Sequence, residues 1–124
     1  REVVENFNLI LLGSPSKNLL IKDLLTKTPA KLDAHGIELA GKHFKGKLSL
    51  AMIYPNPLNP QKMVAFLTGN SKKMERLSLY ALPLYSGSGI PHYMIFDLEV
   101  KQYGWGGVRA AGFFNEQGKP EKEF

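Results

Sequence analysis

The sequence has no cysteine. That excludes a disulfide framework, a thiol nucleophile and a thiolate metal site, while leaving the compartment open. No apolar run approaches the ~18 residues that a membrane-spanning helix needs, so no membrane partner is expected. Arginine is scarce: Arg1, Arg76 and Arg109 are the only ones, although Lys+Arg outnumber Asp+Glu by 16 to 11. The net charge of +5 is therefore carried by lysines, solvated point charges without the fork that suits phosphate. They are scattered, and the densest stretch, Lys42, Lys45 and Lys47, is interrupted by Gly46. A nucleic-acid face would need a clustered patch, so the expected reading is a lysine-coated surface with no nucleic-acid partner.

What is present suits one globular domain. At 124 residues the chain can bury a core without staples, and 44% hydrophobic against 22% charged residues argues against disorder. The chain starts at Arg1 rather than Met, and no charged-then-apolar leader follows. Either a leader has been removed or the domain was cut from a longer chain; the expectation is a single domain over 1–124 of the second kind.

Four short apolar stretches read as strands: Asn8–Leu12, Leu48–Tyr54, Met63–Leu67 and Tyr93–Leu98. Their near-continuous apolarity predicts a sheet covered on both faces, the habit of α/β domains. Two segments read as helices. Over Ser16–Thr26, Leu20, Ile21, Leu24 and Leu25 form one stripe, with Ser16 as cap and Pro29 beyond the end. Over Ser71 to about Leu82, Met74, Leu77 and Ala81 recur at helical spacing and Ser71 is the cap. Gly36–Gly46 reads as a β-hairpin turning at Ala40-Gly41 on the sheet's edge. The predicted fold is a three-layer α/β sandwich with a mostly parallel sheet and an antiparallel edge hairpin. Tyr103–Phe114 reads as an irregular tail whose aromatics dock on something, and 115–124 as a polar, frayed end.

Few residues suggest chemistry. The turn Gly13–Asn18 leaves a predicted strand and opens a predicted helix, so Ser14, Ser16, the amide of Lys17 and Asn18 could hold an anion. Neither the P-loop nor the dinucleotide fingerprint is there, and Pro15 removes a donor; the plainer reading is a strand-to-helix turn capped by Ser16. For a hydrolytic triad the local residues are Ser86 or Ser88, His92 and Asp97. They lack the nucleophile-elbow pattern, and His92 and Asp97, five apart on a strand, point to opposite faces. His35, His43 and His92 match no metal-ligand spacing. No motif calls for a metal or other cofactor. Tyr54-Pro-Asn-Pro-Leu-Asn-Pro60 is the most distinctive block. Its prolines stiffen the backbone, and Asn56 and Asn59 can close turns, which predicts a rigid connection between two buried strands, or a preorganised loop facing a partner.

Three blocks occur in order: Asn8–Asn18, the Tyr54–Pro60 block followed by Met63–Gly69, and Ala111–Asn115. Together they resemble the C-terminal accessory domain that follows the catalytic domain in certain secreted bacterial α/β-hydrolases of the prolyl-oligopeptidase and polyhydroxybutyrate-depolymerase-like esterase type. The likeness spans about residues 8 to 115. It implies that the serine, histidine and aspartate of catalysis belong to a hydrolase body outside this chain, that no family catalytic residue falls on any position here, and that the parent is a serine hydrolase in the periplasm or outside the cell. The implied partner is that body. Tyr54, Asn56, Asn59, Tyr85, Trp105 and Phe113 are candidates for the contact surface, and self-association of the isolated domain is expected where the body would have packed. The alternative is a stand-alone small-ligand or anion-binding α/β domain using the 13–18 turn.

Overall fold

A computed structural model describes residues 8–13, 15, 18–81, 92–98, 107–114 and 120–123. Among the described residues, nine strands, two α-helices and a 3₁₀ turn follow one another. They are β1 (Leu9–Leu12), α1 (Leu19–Leu25), β2 (Ala30–Asp33), β3 (Gly36–Leu39), β4 (Lys42–Lys45), β5 (Ser49–Asn56), β6 (Asn59–Gly69), α2 (Lys72–Leu77), the 3₁₀ turn Ser78–Ala81, β7 (Tyr93–Phe96), β8 (Val108–Phe114) and β9 (Pro120–Glu123).

The main sheet has the order β1-β6-β5-β7-β8-β9, and β2-β3-β4 form a second, antiparallel sheet. Among the described strands of the main sheet, β1 and β6 alone pair in parallel and the other pairs are antiparallel. This overturns the expected three-layer α/β sandwich with a mostly parallel sheet. The continuous apolarity of β5, β6 and β7 does report two covered faces. Leu50, Met52, Val64, Phe66, Tyr93 and Ile95 join α1 and the small sheet in one core cluster. Ala51, Leu67, Met94 and Phe96 point the other way and meet Met74 and Leu77 of α2. Two-sided burial says nothing about strand direction, however. Direction is decided by the connections, and a two-residue link can join only antiparallel neighbours.

That link is Pro57-Leu58, between Asn56 and Asn59, which are register partners. The proline-rich block is therefore a hairpin, with Tyr54, Pro55 and Asn56 in one strand and Asn59 and Pro60 in the other. Asn56 accepts a hydrogen bond from the Leu58 amide at 2.9 Å, and Asn59 from that of Gln61 at 3.2 Å. Pro55 and Pro60 are tolerated because lateral pairing has ended there. β7 meets β5 only over Ser49–Met52, and β1 meets β6 only over Val64–Leu67.

The hairpin at Ala40-Gly41 forms as expected, with φ of 51° and 87° at those residues. It lies in the separate sheet with β2, not on the edge of the main one, and β2 itself was not foreseen. Two further expectations are corrected at the C-terminal end. Val108–Phe114, read as irregular, is strand β8 beside β7. Pro120–Glu123, read as part of a frayed end, is strand β9 beside β8.

Both helices are shorter than their apolar spacing suggests. α1 starts at Leu19 because Asn18, not Ser16, caps it; its Oδ1 accepts from the Leu20 and Ile21 amides at 3.0 and 3.3 Å. Ser71 does cap α2, accepting from Met74 N at 3.3 Å. After Leu77 the chain tightens into the 3₁₀ turn, where the Ser78 hydroxyl donates to the Glu75 carbonyl.

Candidate functional site

The 13–18 turn follows β1, whose Leu9–Leu12 run parallel to Val64–Leu67. Gly13 leaves the strand with φ 122° and donates to the Leu67 carbonyl at 3.2 Å, a backbone turn that suits glycine. Ser14, Ser16 and Lys17 lie outside the described residues. Asn18 accepts two first-turn amides on its carboxamide oxygen. The donors that would have held an anion are thus partly satisfied within the chain, and α1 has only seven residues behind them.

Beside this turn lies an open groove of about 480 Å³ between α1 and β2. Leu19, Leu25, Ala30 and Leu32 make its apolar walls, and Lys22 and Lys31 are its charged members. The inward stripe of α1 is Ile21, Leu24 and Leu25. Leu19 falls outside that stripe and is 79% exposed.

His92 is a structural residue. Its backbone extends β7 in both directions, with N–H to the Gly112 carbonyl at 2.8 Å and C=O to the Ile53 amide at 2.6 Å. Its Nδ1 accepts from the Phe114 amide at 2.9 Å, beyond the last β7–β8 register pair, Tyr93 and Gly112. The ring stacks on Phe114 (centroids 6.2 Å, 15°) and meets Phe113 edge-on at 5.0 Å. Asp97 faces elsewhere: its Oδ2 lies 3.6 Å from Arg109 Nη1. Histidine and carboxylate therefore do not assemble as a relay. Ser86 and Ser88 lie outside the described residues.

The remaining histidines are peripheral. His43 Nε2 is 2.8 Å from Glu38 Oε1 on the neighbouring strand of the small sheet. The His35 backbone amide donates to Asp33 Oδ1 at 2.8 Å in the β2–β3 turn. Among the described residues no group of three His, Asp or Glu is placed to hold a metal ion.

The expected contact residues mostly serve the fold. Tyr54 packs edge-on against Phe114 at 5.2 Å, and Phe113 packs on His92. Asn56 is fully buried. Asn59 is half-buried in the hairpin. Tyr85 and Trp105 lie outside the described residues.

A different surface is open, and the sequence reading missed it. Leu9 and Leu11 of β1 pack on the core, whereas Ile10 and Leu12 are 59% and 51% exposed. Met63 of β6 is exposed too; Val64 beside it turns inward, so by strand alternation Met63 shares the outer face with Ile10 and Leu12. This is the face that α2 covers further along the sheet. The signal was present in Leu-Ile-Leu-Leu, a run with no polar residue at an edge. No protein-family model, no curated protein and no solved structure matches the chain.

Proposed function

We propose that the chain is a non-catalytic accessory domain of a secreted hydrolase, an esterase or a peptidase, which packs against the catalytic body or contacts its substrate. The three ordered sequence blocks support this reading. The observation that carries it is the uncovered apolar corner formed by Ile10, Leu12 and Met63. Water-facing leucine and isoleucine side chains, side by side on an edge strand, suit a protein contact better than open solvent. His92 is consistent with that role, since its ring nitrogen accepts the Phe114 amide and so serves the fold. The same resemblance supports a periplasmic or extracellular location and a serine hydrolase as the parent.

The test compares the isolated chain with the full reading frame that contains it. Neither p-nitrophenyl esters nor chromogenic peptides should be turned over by the isolated chain, while the full protein should hydrolyse one class. In the full protein, Ile10→Lys combined with Leu12→Lys should loosen the body and raise its sensitivity to limited proteolysis. Turnover by the isolated chain that disappears in His92→Ala would refute the proposal, as would a reading frame without a hydrolase body.

A further inference from the structure

We propose that the groove between α1 and β2 binds a small amphipathic carboxylate, an acid with an unbranched aliphatic tail, independently of the accessory role. Three observations converge on it. The volume, about 480 Å³, falls within the range of roughly 300–1,000 Å³ common to small-molecule sites. The walls are aliphatic, and Leu19 stands 79% exposed beside them, so a tail laid there would remove leucine surface from water. Among the described lining residues the charge is of one sign, carried by Lys22 and Lys31.

Among the described residues no acid engages either lysine. Lys31 stands directly opposite Glu38 in the β2–β3 register, yet Glu38 directs its carboxylate to His43 on the far side, at 2.8 Å. Lys22 makes no ion pair among the described residues; on α1 its backbone serves the helix, accepting from Thr26 N at 3.1 Å. Two ammonium groups with no acidic partner among the described residues, beside an apolar trough, complement an anionic head joined to an apolar tail. Neither ammonium group depends on the first-turn amides of α1, two of which Asn18 occupies.

Decanoate, below its micelle concentration, is the probe, titrated into the whole chain by calorimetry with amide chemical shifts as the map. Saturable binding is expected, with shifts concentrated on α1 and β2. Lys22→Gln with Lys31→Gln should weaken it by about tenfold, equivalent to about 1.4 kcal/mol. Decanol should bind wild type at least as weakly as decanoate binds that double variant. Leu19→Asp, on an exposed position that folding does not need, should weaken both ligands. The proposal fails if decanoate does not saturate, if the double variant binds it unchanged, or if acetate binds as well as decanoate. It fails equally if an acidic peptide displaces decanoate at lower concentration, which would make the groove a peptide site. These outcomes are independent of whether the chain serves a hydrolase.

Discussion

At the scale of single residues, a few side chains hold unusual backbone in place. Ala40 sits at φ 51° in the first position of the β3–β4 turn, where the left-handed region penalises any residue with a Cβ. Asparagine tolerates that region and, before glycine, is favoured in such turns. Ala40→Asn should therefore stabilise the chain by about 0.5–1 kcal/mol, read as a higher midpoint in urea with an unchanged slope. Asn70 shows the opposite economy, with one carboxamide serving two strand ends. Its Oδ1 accepts from Leu48 N at 2.9 Å and its Nδ2 donates to the Gly46 carbonyl at 2.8 Å. Nothing in local sequence marks Asn70 for this role, because its partners lie more than twenty residues earlier. The opposite holds for Ser71, whose capping of α2 is a local interaction and was legible.

At the scale of elements, α2 is fixed by close approach to the sheet. A Cβ on Gly69 would stand 2.5 Å from the Met74 carbonyl carbon and 2.7 Å from Glu75 N. Both are backbone atoms, so no side chain can swing away. The Ser49 hydroxyl also donates to the Met74 carbonyl at 2.6 Å and ties α2 to β5. Gly69→Ala should cost about 2–3 kcal/mol, near the upper end for overpacked sites, and thermal unfolding should begin earlier with the mutation. An unchanged midpoint would mean that α2 is not seated on Gly69. Helix lengths were overread for a related reason. Apolar spacing marks which residues face the core, but the start of α1 was settled by Asn18 and the end of α2 by the change to 3₁₀ geometry. Strand β2 was missed because Ala30–Asp33 carries only a short, mixed pattern and becomes a strand through its partner β3.

At the scale of the whole molecule, the two edges of the main sheet are built differently. β9 ends the sheet with Pro-Glu-Lys-Glu, a proline and three charges that discourage further strand pairing. β1 ends it with Leu-Ile-Leu-Leu and has no such protection. The sequence of β9 thus opposes further strand pairing and that of β1 does not, in keeping with the proposed packing role. Ending the chain at Asn115 would remove β9 and uncover β8. The truncated protein should melt at a lower temperature and scatter more light with time at fixed concentration, whereas an unaltered melting curve would show that β9 adds nothing to the sheet. As to the site, Asn18 is a ligand candidate in the sequence, and in the fold its carboxamide oxygen caps α1. The groove lysines were not singled out, because Lys22 and Lys31 are nine residues apart and come together only when β2 folds back beside α1.

The sequence alone determined which segments are apolar, that the central strands are buried on both faces, where the Ala40-Gly41 turn falls and that Ser71 begins a helix. These are properties of neighbours in the chain, and local sterics and side-chain period suffice to set them. Tertiary structure decided strand direction, the separation of β2-β3-β4 from the main sheet, the recruitment of Pro120–Glu123 as an edge and the pairing of Lys22 with Lys31 across a groove. Those outcomes depend on contacts between residues far apart in the chain, whose strength comes from burial and backbone pairing that no single segment can supply on its own.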